Sequence, residues 1–240
     1  MTGTFDLTLV AVSYAISVFG SYTGLVLAGQ ITNLRNAMDR VWLVFAAVAL
    51  GGGAIWSMHF IGMIAYKAPI PVSYDATLTI VSMLVAILFV GIGLYLVIGQ
   101  RQMKIATLVG AGVIMGLGVA GMHYTGMYAI QMSGEMHHDE VIVAISLVIA
   151  VVASIAALWI AFTMRKTWQK LISAFVMGVA VCGMHYTAMS GMSMTHDHDS
   201  AFMTTSTILP TELAGYIVVA TVGVLAAALL STFAKELRTS

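Results

Sequence analysis

Residues 105–130 read IATLVGAGVIMGLGVAGMHYTGMYAI, without one Asp, Glu, Lys or Arg. A helix needs about 20 mostly apolar residues to cross a bilayer, and this stretch supplies them. Tyrosines aside, its one ionisable side chain is His123. Six more stretches share its character: 7–31, 41–66, 76–98, 141–163, 171–192 and 213–234. Of the 240 residues, 60% are hydrophobic and 8% charged, against about a quarter charged in a soluble domain. The expectation is an all-α, polytopic membrane protein of seven transmembrane helices, with the lipid bilayer as its solvent. A formal net charge of zero speaks against nucleic acid as a partner. The first stretch is too long for a signal peptide, and Asp6 stands where a signal carries Lys or Arg. Cys182 is the only cysteine, so no internal disulfide forms and the redox compartment stays open.

The basic residues set an expected orientation, because Lys and Arg concentrate on the cytoplasmic side. Arg35 and Arg40, Arg101 and Lys104, Arg165, Lys166 and Lys170, then Lys235 and Arg238 all fall on one side of the spans, and Lys67 alone on the other. That places the N-terminus outside and the C-terminus in the cytoplasm. Asp6, Asp75, Glu135, Asp139, Glu140, Asp197, Asp199 and Glu212 fall on the outside. The charged tail 235–240 is expected to be helical and to begin a linker to a cytoplasmic domain.

The segment around His123 recurs. Ser57-Met58-His59-Phe60-Ile61-Gly62-Met63, Gly121-Met122-His123-Tyr124-Thr125-Gly126-Met127 and Gly183-Met184-His185-Tyr186-Thr187-Ala188-Met189 stand 64 and 62 residues apart. Gly52, Gly116 and Gly178 align, as do Arg40, Lys104 and Lys166, each 19 residues before its histidine. Nineteen residues rise about 28 Å in an α-helix, so the three histidines share one depth near the outer interface. The chain therefore divides into three helical-hairpin repeats, about 7–66, 76–130 and 141–192, plus a seventh helix at 213–234, within one domain over 1–240. Parallel repeats imply a pseudo-threefold axis along the membrane normal, with the even-numbered helices bringing the histidines together. Gly20-xxx-Gly24 and Gly112-xxx-Gly116 have the spacing that lets membrane helices pack closely.

His59, His123 and His185 are, apart from tyrosine and Cys182, the only ionisable side chains within the spans. Such groups are costly in hydrocarbon and functional by default. A methionine follows each by four residues, Met63, Met127 and Met189, and on a helix that puts imidazole and thioether on one face. Met58, Met122 and Met184 precede them, about 100° away around the helix. Imidazole with thioether is a soft donor set that suits copper, Cu(I) above all. Methionine is also a common core filler, and a single Met-His pair is usually packing. Three near-identical copies at one depth point instead to a metal held by these nine residues. Cys182, just before the third motif, is a further thiolate candidate, and Trp56 an interfacial anchor. Outside the spans, 132–140 and 192–199 mix Met, His and carboxylates around His137, His138, His196 and His198. Such tracts capture metal or are simply solvated; both readings stand.

The literal Met122-His123-Tyr124-Thr125 and Met184-His185-Tyr186-Thr187, with the degenerate Met58-His59-Phe60-Ile61, resemble the MHYT family of bacterial integral membrane sensor domains. The resemblance covers essentially the whole chain. It implies a non-enzymatic sensor that binds copper through the motif Met and His residues and senses a diatomic gas (O2, CO or NO) or redox state. It also implies signalling to a cytoplasmic output domain, often one that makes or degrades cyclic di-GMP; none is visible in this sequence, which reads as an isolated sensor module. The first motif keeps Met58, His59 and Met63, so the implied ligands survive, whereas Phe60 and Ile61 break the equivalence of the repeats. The competing readings are a copper or proton transporter or channel, for which the inner halves of the helices offer neither His nor carboxylate, and haem held by His or His with Met.

Overall fold

The computed structural model describes residues 3–98, 100, 102–196 and 207–239. Arg101, Asp197, His198, Asp199 and Ser240 lie outside the described residues. Among the described residues, seven helices are long and apolar enough to cross a membrane. They are α1 (Leu7–Ala28), α2 (Ala37–Ala65), α3 (Ala76–Ile98), α4 (Ile105–Tyr128), α5 (Glu140–Thr163), α6 (Thr167–Ser190) and α7 (Pro210–Thr239). The chain is an all-α integral membrane protein. Helix α7 carries the charged tail as far as Thr239.

Among the described residues, seven short strands, absent from the sequence reading, cap one end of the bundle: β1 (Thr4–Phe5), β2 (Tyr66–Lys67), β3 (Ser73–Asp75), β4 (Ile130–Gln131), β5 (Gly134–His138), β6 (Met192–His196) and β7 (Thr207–Ile208). Their antiparallel pairing follows the repeats: β1 with β2, β3 with β4, β5 with β6. Each repeat is thus a strand, two helices and a strand, closed on itself. Strand β7 adds to the far edge of β3 and leads into α7.

The acidic residues of this end start the odd helices. Asp6 Oδ1 accepts from the N–H groups of Thr8 and Leu9, at 3.0 and 3.3 Å. Asp139 Oδ1 accepts from Val141 and Ile142, at 2.9 and 3.1 Å, and Asp75 Oδ1 from Leu78 at 2.8 Å. These bonds satisfy donors that a helix start leaves orphaned. The backbone N–H groups of the same three residues donate to the carbonyls of Ala65, Ala129 and Gly191, at 2.8, 2.8 and 2.9 Å. Each acceptor stands six residues after a motif histidine. One device, used three times, holds each histidine at a fixed distance below the capped end. At Asp6 the bond from Leu9 and the Lys67 ammonium, 3.3 Å away, hold the carboxyl below its usual range.

Between the helices, small residues set the spacing. A Cβ at Gly20 would lie 2.5 Å from Ala54 N in α2, and one at Gly116 would lie 2.6 Å from Val151 Cα in α5. Helix α1 packs against α2 and α6, and α4 against α3 and α5, while α7 lies against α1 and α2. Arg35, Arg40, Lys104, Arg165, Lys166 and Lys170 lie in or beside the α1–α2, α3–α4 and α5–α6 connections, at the end opposite the strands.

The repeats differ in α2. Its middle, Val48–Trp56, is a π-helix, and α2 has 29 residues where α4 and α6 have 24. A π turn bonds i to i+5 and spends more residues per turn. The 28 Å rise inferred for a uniform α-helix therefore overstates α2, and Arg40 sits inside α2 whereas Lys104 and Lys166 are N-cap residues. Ser57 Oγ donates to the carbonyl of Gly52 at 2.8 Å and lies 2.7 Å from Thr221 Oγ of α7. Among the three histidine-bearing helices, the irregular one is thus hydrogen-bonded to α7.

Asp139→Ala is expected to destabilise the protein by about 1 kcal/mol, the usual cost of a lost N-cap, with faster amide exchange confined first to β5 and β6. Thermal unfolding in detergent with hydrogen exchange checks this; an unchanged melting temperature would remove the caps from the account.

Candidate metal centre

His59, His123 and His185 leave the inner faces of α2, α4 and α6 and meet at the centre of the bundle, each no more than 1% exposed. Nδ1 of His59 lies 3.1 Å from Nδ1 of His185 and 3.1 Å from Nδ1 of His123. The rings meet edge-on, with centroids 4.8 to 5.3 Å apart. Among the described residues this is the one group of three or more His, Cys, Asp or Glu side chains arranged to hold a metal, its ligand atoms all within 4.8 Å of one another. Cys182 is half-buried and stands outside it.

The opposite nitrogens point away from the centre. Nε2 of His59 presses on Gly126, and Nε2 of His185 on Gly62. A Cβ at Gly62 would sit 2.5 Å from that nitrogen, so the close approach depends on glycine. The contacts run around the axis, from the first repeat to the second and from the third to the first. The equivalent place for His123 is Ala188. Nε2 of His59 and of His123 is buried without a hydrogen-bond partner.

A neutral imidazole carries one N–H. His59 Nδ1 meets two like atoms, and a proton on it satisfies only one of them. With the proton on Nε2 in all three rings, the Nδ1 lone pairs would instead be free to hold a metal ion. Imidazole nitrogens about 2.0–2.1 Å from a shared ion in tetrahedral array stand roughly 3.3–3.4 Å apart, close to the 3.1 Å of the two pairs that His59 makes. The donor set is one that could hold a metal ion. The edge-on contact of the three rings leaves no gap between them for a porphyrin.

The motif methionines form layers on either side. Met63, Met127 and Met189 belong to a buried cluster toward the strands, with Met192 and Met194 of β6; Met132 and Met136 pack against it. Met122 and Met184 belong to the cluster deeper in the bundle, and Met58 is likewise buried. The described parts of the Met- and His-rich segments that the sequence left open thus form the β5–β6 pair that brackets α5 and α6, in which Met136 faces Met194 and His138 faces Met192; His198 lies outside the described residues. His138 lies over Tyr124 at 5.8 Å, and its imidazole is held below its usual pKa, first by burial and then by the neighbouring His137. His137 is exposed, 3.8 Å from Glu135.

The sequence reading missed a ring of serines behind the histidines. Ser13, Ser82 and Ser146 are fully buried in α1, α3 and α5. Each donates to the carbonyl three residues earlier, at 2.7, 2.8 and 2.8 Å. Tyr186 and Tyr124, whose rings stand edge-on to their histidines at 4.8 Å, place their hydroxyls 2.8 Å from Ser13 and Ser146. The first motif has Phe60 instead, and there the indole N–H of Trp56 donates to Ser82 Oγ and to the Thr79 carbonyl, both at 3.1 Å. Trp56 is therefore a tie to α3. The signal was present: Ser82 and Ser146 share the 64-residue period of His59 and His123.

Comparison with known proteins agrees with this architecture. Residues 52–111, 116–174 and 178–240 match the MHYT family, described as a bacterial signalling protein N-terminal repeat. The bifunctional diguanylate cyclase/cyclic di-GMP phosphodiesterase MucR of Pseudomonas aeruginosa is 40% identical over 79% of this chain and 28% of its own length. The cyclic di-GMP phosphodiesterase NbdA of the same organism is 31% identical over 80% of this chain and 25% of its own. The signaling protein YkoW of Bacillus subtilis is 29% identical over 81% and 25%. The chain thus spans about a quarter of the length of these curated relatives. No solved structure matches it. With three family repeats along it, a motif histidine in each and all three histidines in one buried cluster, the chain belongs to the MHYT family of bacterial membrane signalling domains.

Proposed function

We propose that this domain is a copper-dependent sensor in the bacterial inner membrane, with the strand-bearing end outside and the basic end in the cytoplasm. The carrying observation is the convergence of three buried Nδ1 atoms, two pairs of them 3.1 Å apart. His59, His123 and His185 would hold the ion, and the thioethers of Met58, Met63, Met122, Met127, Met184 and Met189 supply soft donors above and below, which favours Cu(I) over harder cations. Copper there supplies a redox couple and a position open to O2, CO or NO. The bilayer core and the buried methionine layers keep bulk water from the site.

The protein's own part is to let two packings differ in energy, since a ligand shifts an equilibrium only by binding its two states unequally. His59 stands two residues from Ser57, and Ser57 touches Thr221 of α7 at 2.7 Å. A change of ring position at His59 reaches α7 through that contact, and α7 runs toward the basic end. The relatives named for cyclic di-GMP turnover support an output domain of that kind. The domain itself performs no reaction on this reading.

Protein purified in detergent and loaded with copper is expected to carry close to one ion per chain by metal mass spectrometry. The triple replacement His59→Ala, His123→Ala, His185→Ala is expected to carry less than a tenth of that. Equal copper in both, or none in the parent after loading, would overturn the reading. Gly126→Val removes no donor but pushes on the His59 ring; copper affinity is expected to fall 10- to 100-fold, the usual effect of disturbing a ligand's supporting shell, read by competition with a chromophoric Cu(I) chelator.

A further inference from the structure

Directly beneath the imidazoles, on the side away from the strands, lies a cavity of about 40 Å³. Its lining includes Ile55, Val119 and Val181. These stand four residues before His59, His123 and His185, one helical turn or about 5–6 Å along the helix axis. The cavity therefore lies about one turn below the histidine cluster, with three equivalent positions of the three repeats in its wall. Met115 and Met177, one turn deeper, line it as well.

We propose that this cavity is a docking chamber for one small apolar gas molecule. Its only polar side chains are those of Ser21 and Ser154, and the buried Ser21 hydroxyl has no hydrogen-bond partner. A water needs two to four polar partners, so an apolar cavity stays dry and takes apolar guests. Space for one water begins at about 10–15 Å³, and a dry cavity of about 150 Å³ takes benzene or xenon. The size found here suits a diatomic molecule or one xenon atom and is too small for an acyl chain.

The chamber opens sideways. Ala153 and Ala157 of α5 and Ala180 and Val181 of α6 line it and are half-buried, so a slot between these helices faces hydrocarbon. Apolar gas dissolved in the bilayer enters there without crossing a polar layer. The chamber's role as a station on the way to the histidines rests on the sensor reading above; its occupancy does not, since no metal takes part in forming it.

The test is xenon binding to the full chain in nanodiscs, by 129Xe NMR, with the metal removed and again with copper loaded. A saturable site is expected in both states. Ala180→Leu and, from the opposite wall, Ala153→Leu are each expected to weaken it at least tenfold while copper loading and thermal unfolding stay near those of the parent. Two variants guard against one that fails to fold. No saturable xenon site in the parent, or undiminished binding in both folded variants, would overturn the chamber. An ordered water bridging Ser21 and Ser154 in a high-resolution structure would do the same. A protein that binds xenon but no copper would keep the chamber and refute the sensor reading.

Discussion

Three imidazoles in the interior of a membrane domain must find partners, because an unsatisfied polar group in hydrocarbon costs several kcal/mol. The fold answers by bringing them to one another. His59 Nδ1 touches both other Nδ1 atoms, a geometry that protons satisfy only in part and that a shared cation would complete at the Nδ1 atoms. Much of the remaining structure serves to hold that point. Asp6, Asp75 and Asp139 fix the height of the even helices through Ala65, Ala129 and Gly191. Gly62 and Gly126 let the rings close in, and the rings of Tyr124 and Tyr186 set the angle of their histidines while the hydroxyls anchor in Ser146 and Ser13.

Seen along the axis, the domain is a stack of threefold layers: paired strands, carboxylate caps, thioethers, imidazoles, the wall of a small cavity. The ties between repeats close a ring, from α2 to α3 through Trp56, from α4 to α5 through Tyr124, and from α6 back to α1 through Tyr186. The symmetry breaks at the first repeat. Its π-helical segment, its Phe60 and its contact with Thr221 fall together on α2. π-Helical insertions are rare and concentrate at functional sites, and this one stands where the symmetric core meets the single helix outside the repeats.

The large features were legible because they are periodic. Long apolar runs mark the seven helices, and a heptapeptide repeated at 64 and 62 residues marks the shared depth and the meeting of the histidines. What escaped lacked such a signal. Strands of two to five residues are too short for an alternation to register, so the caps and sheets were read as loops. The π turn that contains Gly51, Gly52 and Gly53 has no periodic signature of its own. Ser82 and Ser146 share the histidines' spacing, yet Ser13 lies 69 residues before Ser82, and serine is common enough in membrane helices to hide a ring of three. The degenerate first motif looked like a loss, whereas Trp56, four residues before Phe60, supplies the tie that the phenol makes elsewhere.

On the proposed reading the three Nδ1 atoms hold one copper ion, and X-ray absorption at the copper K-edge on protein loaded in nanodiscs reads its ligands. Nitrogen scatterers at about 2.0 Å are expected, with the outer-shell pattern of about three imidazole rings. A first shell of sulfur or oxygen alone, with no imidazole pattern, would contradict it.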